Sequence, residues 1–361
     1  MSILIVPMAG KSSRFPNTKP KWMLTHPSTK NFIGIESIQG INLDIFEEIY
    51  FVTLNKYEKQ FNFLKGFKDC LKENNLFKQS TVLLLDRATK SQPETVIKVL
   101  NKTKKDTSFL IKDADNFFKI EIEEVNNFVG YFDLNDLTLT NPSSKSYLQV
   151  DSNKNIINIV EKKVISNSFS VGAYSFESSK DFIKNFENIK KKPNINKNNE
   201  IYTSHVIYNM ILTGSIFKAK KTSKFLDWGD IRSWERFKNN YSTIFCDIDG
   251  TLVKNSSENF PPYIGQAEPI IKNIETLNKL KLEKEAYIVL TTSRKEKYRD
   301  LTLKEMKKHK VLFDKLIMDL PHSKRILIND FSSSNSYPTS EAINLKRNED
   351  KLNEYLKIEK D

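Results

Sequence analysis

Short apolar runs alternate along this chain with longer stretches in which apolar positions return every three or four residues. Residues 3–8, 49–53, 81–85 and 108–111 are dense in aliphatic and β-branched side chains and read as strands of one sheet. Amphipathic segments such as 57–74 lie between them with helical spacing. The alternation resumes later: 242–246, 286–290 and 326–328 read as strands, and 267–280 as a helix. Such a pattern predicts α/β layers rather than an all-α or all-β fold. The stretch 237–241, Phe-Lys-Asn-Asn-Tyr, has no apolar periodicity, so a boundary is placed there and two α/β domains are expected, 1–238 and 239–361. No internal repeat is found, and 346–361 reads as a terminal helix with frayed ends.

A length of 361 residues suits two cores better than one. With 39% hydrophobic and 28% charged residues the composition is globular. No apolar stretch approaches a membrane span, and the start Met1-Ser2-Ile3-Leu4 lacks the basic region of a secretory signal, so a cytoplasmic location without membrane insertion is expected. Cys70 and Cys246 are far apart and match no metal-ligand pattern, which predicts neither a disulfide nor zinc. The net charge of +12 is spread over the whole chain, and no helix-turn-helix, zinc-finger or aromatic RNA-binding signature accompanies it. Nucleic acid is therefore not expected as a partner, whereas a positive field draws nucleotides and sugar phosphates. The sequence is compatible with a homo-oligomer.

The most specific chemistry lies in Asp247-Ile248-Asp249-Gly250-Thr251-Leu252, directly after the strand 242–246. At a strand end the first carboxylate can attack phosphorus, while the second, two residues on, shares its side and can handle the leaving-group proton. Gly250 allows the sharp exit. The set resembles motif I of the haloacid dehalogenase (HAD) superfamily of phosphatases. That resemblance implies further parts in order: Thr292, at the end of 286–290, to bind the phosphoryl group; Lys324 to offset charge between nucleophile and phosphate; and Asp330, with Asp247 and Asp249, to hold Mg²⁺. Asn329 replaces one acid of the commoner pair. His322 reads as a solvated or packing residue. The short spacings after Gly250 and from 316 to 325 leave no room for an inserted lid, so a smaller, C-terminal, capless HAD-like Rossmannoid domain is expected.

The first strand runs into Ala9-Gly10-Lys11-Ser12-Ser13-Arg14 and then Lys19-Pro20-Lys21. Small residues such as Ala9 and Gly10 let backbone N–H groups approach a triphosphate, and Arg14 with Lys21 can neutralise charge on phosphorus and on departing pyrophosphate. This stretch resembles the signature of the sugar-phosphate nucleotidyltransferases, although Lys11-Ser12-Ser13 stands where a further glycine is usual. The resemblance continues in chain order over roughly residues 3–237. Gln92 falls in the base-recognition segment, where Ser91 replaces a usual glycine. Asp113-Ala114-Asp115 ends a strand with two hard oxygen ligands for Mg²⁺, Asp115 first and Asp113 second. Glu161, Lys162 and Gly172 fall in the acceptor-binding strands, with Glu161 accepting from hydroxyls and Lys162 meeting the acceptor phosphate. Glu200 to Ser204 matches another acceptor-side segment, and Asp227 completes the metal site.

The implied fold is an N-terminal Rossmann-like nucleotidyltransferase domain joined to the HAD-like one. The implied function is a bifunctional enzyme that transfers a nucleotidyl group from a nucleoside triphosphate to a sugar or polyol phosphate and hydrolyses a phosphomonoester, with Mg²⁺ as cofactor. CTP stands first among the nucleotides, ahead of UTP and dTTP. Fusions of this kind suit the supply of precursors for capsule or other surface polysaccharide. Two alternatives remain: a glycosyltransferase using Asp113 and Asp115 as a DxD motif, and a regulatory or binding protein with one or both sites inactive.

Overall fold

The computed structural model describes residues 2–10, 19–103, 105–136, 141–191, 200–330 and 339–356. The chain divides into two compact units, Met1–Phe237 and Lys238–Asp361.

In the first unit, strand β1 (Ser2–Pro7) lies between β2 (Glu48–Leu54) and β4 (Ser108–Lys112), and β3 (Ser80–Leu85) extends the sheet beyond β2, all four parallel. The continuous run Ile3-Leu4-Ile5-Val6 is buried throughout because the sheet is covered on both faces. Side chains two apart share a face, and the strands sort accordingly. Leu4, Val6, Phe51 and Leu110 pack into one core with Trp22 and Phe67; Ile3, Ile5, Val52 and Phe109 pack into the other with Val96 and Phe182.

Beyond β4 the sheet changes direction. Strands β6 (Phe128–Asp133) and β9 (Ser168–Phe176) pair antiparallel, β9 also runs antiparallel to β4, and β10 (Lys218–Lys221) runs parallel to β6 at the edge. Strands β7 (Ser146–Val150) and β8 (Ile156–Glu161) form a hairpin beside β9. A separate ladder pairs β5 (Asn116–Lys119) with β11 (Ser223–Asp227). The expected single helix over 57–74 is interrupted: helices Asn55–Phe61 and Leu64–Glu73 meet at Asn62, whose φ of 47° is the left-handed conformation that an asparagine tolerates at a helix end.

The second unit holds a parallel sheet of β12 (Thr243–Asp247), β13 (Tyr287–Thr291) and β14 (Lys315–Ile317), in that order. Helices Ile271–Glu283 and Arg299–Lys308 follow β12 and β13 in the chain. Ile248, Leu252, Leu277, Ile288, Leu290 and Met306 form its buried centre. The helix expected from 267 starts at Ile271, because residues 268–270 are drawn into pairing with 252–254: Pro269 bridges Val253 and the Ile270 amide donates to the Leu252 carbonyl at 2.8 Å.

Two expectations for this unit are corrected. Residues 326–328 form no strand; Ile326, Leu327 and Ile328 are 74%, 58% and 90% exposed. A three-residue apolar run supplies β-propensity but no ladder, and among the described residues none pairs with it. The terminal helix is a single turn, Leu352–Tyr355, among the described residues, and the residues before it fold back towards the end of β12.

Candidate active sites

In the first unit, β1 runs into buried Ala9 and exposed Gly10, whose carbonyl accepts from Tyr57 Oη at 3.2 Å. Among the described residues, no atom lies within 4 Å of where a Cβ on Gly10 would stand. Arg14 lies outside the described residues. Lys21 opens a short turn anchored by Trp22, which is buried edge-on against Tyr57, Phe63 and Phe67. So fixed, Lys21 forms an ion pair with Asp115.

Asp115 sits on the turn from β4 to β5. Strand β11 pairs Asp227 with Asn116, and the Trp228 amide donates to the Asp115 carbonyl at 2.9 Å. The ladder therefore brings Asp115 and Asp227, more than a hundred residues apart in sequence, to one end of the β5–β11 pair. Asp227 is matched by Lys145 at 2.9 Å and accepts from the Gly229 amide at 3.0 Å. Among the described residues no third acid, histidine or cysteine completes a cluster of metal ligands. Two carboxylates nonetheless fit Mg²⁺, which is commonly held by one or two acids with substrate phosphate and water filling the octahedron.

Asp113 is committed elsewhere. Gln92, at the start of helix Gln92–Leu100, donates from Nε2 to Asp113 Oδ1 at 2.5 Å and accepts from Thr203 Oγ1 at 2.7 Å. Its amide thus bridges two protein groups. Gly172 has φ 77°, and a Cβ there would lie 2.2 Å from Asp113 Oδ2. The glycine makes room for the acid. Burial pushes the Asp113 carboxyl up, helped by the Asp115 charge, and pulls the neighbouring Lys112 ammonium down.

On the acceptor side, Glu161 Oε2 accepts from Ser146 Oγ at 2.5 Å and from Ser204 Oγ at 2.7 Å. Lys162, at φ 55°, places its ammonium 4.1 Å from the Tyr202 ring centre and bonds the Tyr202 hydroxyl, which donates to Glu200 at 2.6 Å. His205 Nδ1 accepts from the Tyr202 amide at 3.3 Å, and burial pulls this imidazole below its usual range. Ser204 closes the segment Glu200 to Ser204 that sequence had marked, whereas Lys112, Lys145 and Ser146 were not singled out: Lys112 directly precedes Asp113, and the other two carry no local signal.

The second unit has a cavity of about 370 Å³ lined by Asp247, Asp249, Thr292, Arg294, Arg325 and Arg347 among others. Asp247 ends β12 in register with Thr291, and Gly250, at φ 86°, turns the chain so that Leu252 folds back onto Ile248. Asp249 is gripped by the Arg294 fork, Nη2 to Oδ1 at 2.8 Å and Nε to Oδ2 at 2.9 Å. Ser256 donates to Oδ1 at 2.6 Å and Thr292 to Oδ2 at 3.2 Å. Four donors converge on this carboxylate, so proton transfer through it requires one of them to give way. The Thr292 hydroxyl, expected on the phosphoryl group, is directed to Asp249 here.

Arg294 is itself buried and reaches Glu305 at 2.6 Å through Nη1. Burial pushes the Asp247 carboxyl up to about 6; the Arg325 guanidinium, 3.2 Å away, offsets part of the rise and the Asp249 charge adds to it. Lys324 and Asp330 do not line the cavity. Without a strand over 326–328 nothing carries Asp330 to the end of β12, and Arg325 takes the place expected of Lys324. The described residues therefore do not assemble the metal set expected in this unit. Arg294 lies two residues after Thr292, the residue singled out from sequence, whereas Arg347 carried no signal.

No family model and no curated protein matches the chain. Solved structures do. A nucleoside-diphosphate-sugar pyrophosphorylase from Vibrio cholerae RC9 is 18% identical over 65% of this chain and 99% of its own, with a TM-score of 0.52. A UDP-glucose pyrophosphorylase complexed with UDP-glucose is 18% identical over 66% of this chain and 97% of its own, with a TM-score of 0.51. The chain thus shares, over about the extent of its first unit, the fold of these nucleotidyltransferases. No helix among the described residues is long and apolar enough to cross a membrane.

Proposed function

We propose that the first unit is a nucleotidyltransferase acting on a sugar or polyol phosphate. The observation that carries this reading is the meeting of Asp115 and Asp227 across the β5–β11 ladder, each held by a lysine, on a fold shared with nucleotide-sugar pyrophosphorylases. A phosphate oxygen of the acceptor attacks the α-phosphorus of the triphosphate, the bond to the β-phosphate oxygen breaks, and pyrophosphate leaves with that electron pair. Lys21 and Lys145, paired with the two acids in the free protein, exchange to phosphate oxygens when substrate enters. Lys162 meets the acceptor phosphate, and Glu161, already accepting from two serines, takes a hydroxyl of the sugar or polyol. Asp115 and Asp227 would hold Mg²⁺, which when bound would neutralise phosphate charge. CTP is the first nucleotide to test, then UTP and dTTP. A glycosyltransferase with Asp113 and Asp115 as its metal pair is disfavoured, since Asp113 is bonded to Gln92 and packed on Gly172.

For the second unit we propose phosphomonoester hydrolysis. Asp247 attacks phosphorus, the bond to the ester oxygen breaks, and that oxygen takes a proton from Asp249; water, giving a proton back to Asp249, then attacks the aspartyl-phosphate and releases orthophosphate and the Asp247 carboxylate. Joined in one chain, the activities suit precursor supply for capsule or another surface polysaccharide in the cytoplasm. Phosphorus NMR of the full chain with Mg²⁺, nucleoside triphosphates and sugar or polyol phosphates tests both readings. Pyrophosphate with a new diphosphodiester signal is expected, lost in Asp227→Asn; orthophosphate release is expected, lost in Asp247→Asn alone. Loss of both products in either variant would overturn the assignment of separate sites.

A further inference from the structure

Residues 346–352 are tied to the turn that carries Asp247 and Asp249. The Asn348 amide donates to the Gly250 carbonyl at 2.8 Å, and Asn348 Oδ1 accepts from the Asn255 amide at 2.7 Å. Fully buried Asn273 donates from Nδ2 to the carbonyls of Thr251 and Glu349, both at 2.8 Å, and accepts from the Leu352 amide at 3.1 Å. One asparagine side chain thus joins the motif turn to the returning segment, as a backbone ladder would.

This attachment sets Arg347 at the cavity. Its stem crosses Gly250 so closely that a Cβ there would come within 2.9 Å of Arg347 Cγ, and Arg347 is among the lining residues. The other charges of the cavity are matched: Asp249 by Arg294, Glu258 by Lys295 at 2.9 Å and Lys297 at 2.5 Å, and Asp247 by Arg325. Arg347 has no hydrogen bond or ion pair with any described residue. An arginine that lines a nucleophile-bearing cavity, with no anion among the described residues to pair it, is suited to the paired oxygens of a phosphoryl group.

We propose that Arg347 binds the non-bridging phosphoryl oxygens of the phosphomonoester in the second unit, so that residues 347–352 serve as a fixed wall of the cavity. This rests on the phosphatase reading above. The glycine after Asp249 then has two duties: it supplies a left-handed turn and leaves space for the arginine that reads the substrate.

The test uses the full chain with p-nitrophenyl phosphate as substrate and inorganic phosphate as competing product. Arg347→Ala is expected to raise both KM and the inhibition constant of phosphate roughly 10- to 100-fold, the scale of a lost charge-assisted hydrogen bond. Arg347→Lys should recover part of the loss, keeping the charge without the fork. Lys346→Ala, which removes an exposed cation one residue away, should stay within about twofold, as expected for a solvated charge. Thermal unfolding of each variant shows whether the segment still docks. If Asp247→Asn abolishes hydrolysis while Arg347→Ala matches wild type in both constants, the inference is wrong and the phosphatase reading stands. If the wild type neither hydrolyses the ester nor binds phosphate, both fall.

Discussion

Arg294 joins two carboxylates from distant parts of the second unit, Asp249 on the motif turn and Glu305 on helix Arg299–Lys308. Its side chain and that of Glu305 are almost wholly buried, so each charge depends on the other for compensation. Arg294→Met should therefore cost about 3–5 kcal/mol, the scale of leaving a buried charge unpaired. Urea unfolding of the full chain measures it, and adding Glu305→Gln should restore part of the loss. A change below about 1 kcal/mol would mean that solvent reaches this pair as it reaches a surface one. Asp247 and Asp249 were legible as members of a short motif, and Arg294 follows Thr292 by two residues. The convergence of four donors on Asp249 was not, because Ser256 and Thr292 reach it from separate stretches of chain.

The turn from β4 to β5 shows how an element can be fixed from within. Lys112, wholly buried, donates to the Asp113 carbonyl at 2.6 Å, the Asn116 carbonyl at 3.0 Å and Asn116 Oδ1 at 2.7 Å, with its ammonium 4.5 Å from the Phe118 ring centre. All three donors of the ammonium stay inside the turn that carries Asp115. Lys112→Met keeps the stem and deletes the donors, so it should cost about 1–3 kcal/mol for buried acceptors left unsatisfied. Hydrogen exchange at the amides of residues 113–116 should accelerate with it. Unchanged exchange there would show that the β5–β11 ladder alone holds the turn. The strand ending at 111 was readable from its apolar run. The lysine that follows read as one more charge among many, since its burial depends on β5 returning over it.

At the scale of the whole molecule, each unit has its own apolar centre, two layers around the first sheet and one in the second unit. Leu277, fully buried in the second centre, is a point at which to separate them. Leu277→Ala should cost about 2–5 kcal/mol and lower the unfolding temperature of the second unit while leaving the transition of the first in place. Calorimetry of the full chain checks this, and a matching shift in both transitions would mean that the units unfold together.

Apolar periodicity alone was enough to indicate α/β layers and the strands β1 to β4, β12 and β13, because a buried strand needs a run of apolar side chains whatever it packs against. Local motifs pointed to the acids at 115, 227, 247 and 249, since a turn at a strand end is written in neighbouring residues. Tertiary structure decided which of these groups meet. The β5–β11 pairing brings Asp227 beside Asp115, the Gly172 backbone makes space for Asp113, and Asn273 draws Arg347 over Gly250. It also left residues 326–328 without a ladder, and Asp330 with them away from the cavity. A strand exists only with a partner, and a long-range contact is set by the packing of every element between its ends, which no short window of sequence contains.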